Sequence, residues 1–153
     1  PGIYFHSLFG SRGWQQGPAQ TGSNRSINRQ KLTRQELEHD LMDEGSLRHG
    51  VFRSYANLLR ARASSPAFDP YGSQTTLECG KSIFGLLRQA AGRGERVLCL
   101  QNLSPTAQTL KLDLRRPPGG PPTFLNLLTG ARLAGLLHLS LAPYETIWLA
   151  LDA

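Results

Sequence analysis

Apolar positions change their spacing twice along the chain. Ile3-Tyr4-Phe5 is a short apolar run of the kind a buried strand shows, so residues 1–6 are expected as a strand, with Pro1-Gly2 tolerable at its start. Gly, Ser, Gln and Asn then dominate residues 7–32, a loop of about 25 residues and longer than most connections. Helical spacing follows. Thr33 reads as an N-cap, with Glu36 completing a capping box for a short helix to Met42. Gly45 ends it, and Ser46 starts a second helix in which Leu47, Val51, Tyr55, Leu58 and Leu59 recur on one face. That apolar stripe is expected to pack into a core, and Pro66 stops the helix.

From Phe68 the period shortens. Pro70-Tyr71-Gly72-Ser73 is turn chemistry. Strands are expected over 75–78, 83–90, 96–101, 109–114, 123–128, 136–141 and 147–151. Gly92 to Glu95 reads as a hairpin turn and Pro117 to Pro122 as a rigid loop. Leu137-His138-Leu139-Ser140-Leu141 alternates as a half-buried strand should, with His138 on the exposed face. Short strands separated by turn signals predict an antiparallel sandwich or barrel. A boundary near residue 65 divides the chain into 1–65 and 66–153, with no internal repeat.

Charge sharpens this picture at one place. No carboxylate precedes Glu36, whereas Arg12, Arg25, Arg29, Lys31 and Arg34 all fall before it, so five of the formal +6 sit in the first 35 residues. A strand that delivers a long, carboxylate-free loop is the architecture of a site for an anionic or hydroxyl-rich ligand, because function concentrates on loops held by a scaffold. A solvated basic loop is the plain alternative. Basic residues do not line one face with interleaved aromatics, which argues against a nucleic-acid partner. No run of about 18 apolar residues marks a membrane span. Cys79 and Cys99 lack metal spacing and are expected as free thiols in a reducing, cytoplasmic setting.

Catalytic signatures are missing. Walker, HExxH, CxxC, GxSxG and GxGxxG patterns do not occur, and nothing calls for a cofactor or metal. His6 stands where the first strand meets the loop and could face a ligand, or serve as a structural imidazole. His39 and His49 are expected on the helix surface. Five carboxylates cluster between Glu36 and Glu44, and the rest are spread singly, so no pair is placed for acid–base work.

Several stretches together resemble the α-amylase family, in its sucrose phosphorylase-like branch. Pro1-Gly2-Ile3-Tyr4-Phe5-His6-Ser7-Leu8-Phe9-Gly10-Ser11 resembles the eighth barrel strand and the loop after it. Thr21-Gly22-Ser23-Asn24-Arg25-Ser26-Ile27-Asn28-Arg29 is similar to the arginine-containing loop downstream. Leu58 to Arg62 with Pro66-Ala67-Phe68 is similar to the last barrel helix. Leu127-Leu128-Thr129-Gly130 and Leu141-Ala142-Pro143-Tyr144-Glu145 look like the C-terminal β domain.

The resemblance implies an α+β fragment: the last strand, loop and helices of a TIM-type (β/α) barrel, followed by an antiparallel, sandwich-like C-terminal β domain. It also implies a retaining glucosyltransferase that passes glucose from an α-glucoside, such as sucrose, to inorganic phosphate. An aspartate nucleophile and a glutamate acid/base would act on earlier strands. This segment alone is then expected to be inactive, with the barrel preceding it as its natural packing partner. By the same resemblance Arg25 helps hold the donor glucose, supported by Asn24, Arg29 and His6. An amylosucrase-like hydrolase or transglucosidase is the near alternative. A carbohydrate-binding β module is a distant one, disfavoured because Tyr71, Phe84, Phe124, Tyr144 and Trp148 mostly sit in apolar runs. A basic interaction domain is the third class. The donor is left open between sucrose, a phosphorylated sucrose and glucosylglycerate.

Overall fold

The computed structural model describes residues 2–28, 31–111, 123–134 and 138–151. The chain divides into two compact units, Pro1–Leu59 and Arg60–Ala153.

Among the described residues four α-helices occur: α1 (Phe5–Leu8), α2 (Gly17–Thr21), α3 (Arg34–Met42) and α4 (Leu47–Ser64). The strand expected over residues 1–6 is not formed. The Tyr4 carbonyl instead accepts from the amides of Ser7 (3.1 Å) and Leu8 (3.0 Å), closing the single turn of α1. Ile3, Tyr4 and Phe5, expected to be buried, are all exposed. The reason is backbone satisfaction: a barrel strand draws its hydrogen bonds from strands on both sides, and the first unit offers none among its described residues. The helix signals hold. Thr33 Oγ1 accepts from the Glu36 amide at 3.2 Å, and Glu36 Oε2 accepts from the Thr33 amide at 2.8 Å, so the capping box is complete. These bonds hold the Glu36 carboxyl below its usual range. Along α4 the apolar stripe is covered only in part: Val51, Tyr55, Leu58 and Leu59 are half-buried and Leu47 is exposed. His39 is exposed as expected, but His49 is half-buried and its Nδ1 donates to the Leu41 carbonyl at 2.8 Å.

Among its described residues the second unit carries eight strands: β1 (Ser73–Leu77), β2 (Ile83–Gln89), β3 (Arg96–Asn102), β4 (Gln108–Lys111), β5 (Thr123–Asn126), β6 (Arg132–Ala134), β7 (His138–Leu141) and β8 (Thr146–Ala150). All pairings are antiparallel. Six strands form one sheet in the order β1-β2-β3-β8-β5-β6, and β4 pairs with β7 in a second. Each of the seven expected strands has an observed counterpart with shifted ends, β1 beginning two residues earlier than expected, while residues 112–114 and 136–137 of two expected strands lie outside the described residues; β6 was not signalled by apolar spacing. The proline-rich loop over 117–122 lies outside the described residues.

Why β3 and β8 read as continuous apolar runs follows from the layers. Leu98 and Leu100 of β3, with Ile147 and Leu149 of β8, pack with Ile83, Phe124 and, from β7, Leu139 and Leu141. Val97, Cys99 and Ala150 point the other way, onto Ala67 and Phe68 of the short turn after α4. Both faces of the sheet centre are therefore covered, which removes the apolar–polar alternation of a one-sided strand. Phe68 packs on Trp148 at 4.7 Å between centroids, with the Arg62 and Arg88 guanidinia at 5.5 and 5.9 Å from its ring. Aromatic burial is less complete than the apolar runs imply: Phe124 is buried, but Tyr71 and Tyr144 are exposed in turns, and Phe84 is exposed on the face of β2 opposite buried Ile83 and Gly85.

Both cysteines are free thiols. Burial pushes the Cys99 thiol up to about 11, despite Arg88 and Arg62 nearby, and burial with the Glu78 charge raises Cys79. A thiol-reactive dye at pH 8 is therefore expected to label Cys99 only when the β unit unfolds, read by mass spectrometry with and without urea. Because the folded pKa lies above the unfolded value near 9, the unfolded chain releases this proton first. The contribution of Cys99 to stability is complete below about pH 9 and is lost as the pH rises toward 11.

Candidate functional site

The site is built from the loop that leaves α1. Its first anchor is Arg48, near the start of α4. The Arg48 guanidinium donates from Nε to Asp40 Oδ2 at 2.9 Å, and from Nη1 to Ser11 Oγ at 2.8 Å and the Phe9 carbonyl at 3.3 Å. Only 12% of this side chain is exposed, so its charge is spent on holding residues 9–11 against α3 and α4. Phe9 adds a stacked contact with Phe52 at 5.3 Å. Gly10 has φ +57°, and a Cβ there would lie 2.8 Å from Val51, so the turn needs glycine on two counts.

Further on, the loop folds back on itself. The Trp14 amide donates to the Ile27 carbonyl at 2.6 Å, and Tyr4 Oη donates to the Asn28 carbonyl at 3.0 Å. Pro18 fixes the first turn of α2 and Gly22 caps it in the left-handed region. The Trp14 ring lies over Gly17, where a Cβ would approach to 2.7 Å. Ser26 is buried beneath this turn, accepting from Thr21 Oγ1 at 2.9 Å and donating to the Ser23 carbonyl.

Buried Ser26 positions the neighbouring candidates. Residues 24–28 form a 3₁₀ turn, in which Ser26 points inward while Asn24, Arg25 and Asn28 are exposed. Residues three apart eclipse each other in such a turn, so Arg25 and Asn28 share a face. Asn28 lines a cavity of about 380 Å³ together with Tyr4, His6, Ser7, Ser11 and Arg12. The structure thus brings His6 into the cavity wall and sets Arg25 one turn behind Asn28, outside the wall. Asn24 is on the same turn and Arg29 lies outside the described residues. Tyr4 and Phe5 meet the His6 ring edge-on at 5.4 and 5.3 Å. His6 Nδ1 is buried and has no hydrogen-bond partner among the described residues. A second cavity, of about 520 Å³, adjoins through Gly10, Arg12 and Gly13, and is lined as well by Trp14, Gln16 and Asp40.

Arg12 and Trp14 were not singled out by sequence reasoning. The available signal was a cation and an indole between glycines, inside a stretch free of carboxylates. Among the described residues no Asp or Glu lines the smaller cavity, and the Asp40 in the larger one is already paired with Arg48. Hydrogen-bond donors and cations therefore outnumber anions here. Such a wall can bind hydroxyl or anionic groups, but it holds no carboxylate to act as nucleophile or acid. Among the described residues no group of three or more His, Cys, Asp or Glu could hold a metal ion, and no helix is long and apolar enough to cross a membrane.

No family model matches the chain. It is 41% identical to a glucosylglycerate phosphorylase of Spirochaeta thermophila, over 97% of this chain and 27% of that protein. A glucosylglycerate phosphorylase of Allomeiothermus silvanus is 33% identical over 97% of the chain and 24% of its own length. The chain thus spans about a quarter of the length of these relatives. Among solved structures, an Anoxybacillus α-amylase superposes with a TM-score of 0.57 at 16% identity, over 73% of this chain and 24% of that one. That likeness gives the fold alone.

Proposed function

We propose that the chain works as the C-terminal part of a retaining glucosyltransferase of the sucrose phosphorylase-like branch of the α-amylase family, a reading supported by its 41% and 33% identity to two glucosylglycerate phosphorylases over 97% of its length. That enzyme moves glucose from an α-glucoside to inorganic phosphate, giving α-glucose 1-phosphate. Glucosylglycerate is the donor this reading favours over sucrose. The single observation behind it is the 41% identity across 97% of the chain.

Within this reading the catalytic carboxylates come from the barrel that precedes the segment, and the segment alone does not turn over. What it adds is a binding surface. Arg25 presents a planar, permanently charged donor fork that can take two sugar hydroxyls at once. Ser26, locked under the turn, keeps the 3₁₀ turn rigid so that Arg25 is delivered in one orientation. The absence of carboxylates from the smaller cavity wall fits a division of labour in which one part of the protein binds and another reacts.

The test is to supply the full-length enzyme carrying this segment with glucosylglycerate and phosphate, and separately with sucrose and phosphate. α-Glucose 1-phosphate should form from glucosylglycerate and only weakly from sucrose. Free glucose forming at the same rate without phosphate would mean a hydrolase and would remove the reading.

A further inference from the structure

We propose that Arg12 binds the oxyanion of the glucosyl acceptor, and so selects anionic acceptors over neutral polyols. This rests on the phosphorylase reading above. The structure distinguishes Arg12 from its neighbour in kind. Arg48 is buried and fully engaged by Asp40, Ser11 and Phe9. Arg12 is exposed, lines both cavities, and makes no hydrogen bond or ion pair among the described residues.

The surrounding wall fits an anion better than a sugar. A polyol both gives and takes hydrogen bonds, so walls that hold one commonly supply carboxylates as acceptors. Here the wall beside Arg12 holds His6, Ser7, Ser11 and Asn28 and, among the described residues, no carboxylate. Ser11 Oγ already accepts from Arg48, which leaves its own proton free to donate into the cavity. His6 Nδ1 is a second polar atom without a partner among the described residues, buried in the same wall. A guanidinium with neutral donors around it is the arrangement that holds carboxylate or phosphate oxygens. The volume of about 380 Å³ suits a small molecule. Gly10 and Gly13 line the same cavity and add no side chain beside Arg12.

The anion could be the carboxylate of a small hydroxy acid or inorganic phosphate itself, and acceptor kinetics separate them. With α-glucose 1-phosphate as donor, the full-length enzyme is given glycerate or glycerol, and in the opposite direction phosphate. Arg12→Gln should raise KM for glycerate, for phosphate or for both by about tenfold or more, while the glycerol reaction stays within about twofold. Whichever anion responds is the one bound. Arg12→Lys should recover part of the loss, because charge is kept and the planar fork is not. An equal loss on all three acceptors, or no loss on any, overturns the assignment. Should the enzyme transfer no glucose at all, the phosphorylase reading fails separately. Calorimetric titration of glycerate and of phosphate into wild type and Arg12→Gln then decides: binding that the variant weakens supports Arg12, and equal or absent binding rejects it.

Discussion

Arg25→Ala in the full-length protein is expected, on the proposed phosphorylase reading, to lower kcat/KM for α-glucose 1-phosphate formation by about 10- to 150-fold, the cost of losing hydrogen bonds from a charged donor, about 1.5–3 kcal/mol. The thermal midpoint should not move. Arg25 is exposed on its 3₁₀ turn and makes no hydrogen bond or ion pair among the described residues, so the fold does not rest on it. That separation makes the experiment decisive. A purely structural arginine would lower stability along with activity, and a solvated one would change neither. Arg25→Lys should regain only a small part of the rate, because a single ammonium cannot serve two hydroxyls in a fixed plane. Near wild-type kcat/KM for Arg25→Ala would dismiss the donor-binding role.

Ser26→Ala offers a contrast in mechanism. Ser26 is buried and bonded to Thr21 and Ser23, so its loss loosens the turn rather than removing a donor.

How far the sequence carried these conclusions differs between the two units. In the β unit, apolar runs were clearest where burial is strongest: β3 and β8 are covered on both faces at the sheet centre, so Val97 to Leu100 and Ile147 to Ala150 run apolar without a break. β6 escaped because Arg132 and Ala134 flank a single half-buried Leu133. Periodicity needs more than one apolar residue to show. In the first unit the helices were legible through local chemistry, the Thr33–Glu36 capping box above all, since a cap is made by residues three apart. The strand over residues 1–6 was not, because a strand is a property of its neighbours. Ile3, Tyr4 and Phe5 carry a strand's composition, but without flanking strands the local bonds of α1 win. The site was half legible. His6 was a candidate from its place where the apolar run meets the loop, and Arg25 from resemblance. The place of Arg12 was hidden, since it depends on Arg48, 36 positions further along, tying residues 9–11 down.

Asn102→Asp should be among the most damaging single-atom changes available to the β unit, and its effect should depend on pH in a predictable direction. Asn102 is 2% exposed at the end of β3. Its Nδ2 donates to the carbonyls of Thr106 at 2.7 Å and Ala142 at 2.8 Å, with a longer contact to Leu141 at 3.4 Å. Oδ1 accepts from the Ser104 amide at 3.0 Å and hydroxyl at 2.7 Å. One amide thus closes the turn after β3 and ties it to the exit of β7. Replacing the NH₂ with oxygen turns a donor toward three carbonyl oxygens into a further acceptor, and at neutral pH buries a charge without a counter-ion. About 3–5 kcal/mol should be lost at pH 7, a large part of the 5–15 kcal/mol that typically holds a domain together. Burial and the facing carbonyls raise the folded pKa of the introduced carboxyl above its unfolded value of about 3.9. The ionisation penalty is therefore absent below about pH 4, grows as the pH rises, and levels off above the folded pKa. Urea unfolding at pH 4 and pH 7 should show the variant much closer to wild type at the lower value. Asn102→Ala loses the same hydrogen bonds without adding a charge, so its deficit should be nearly the same at both. If the two variants respond alike to pH, the carbonyl cage around Asn102 does not hold this side chain as described.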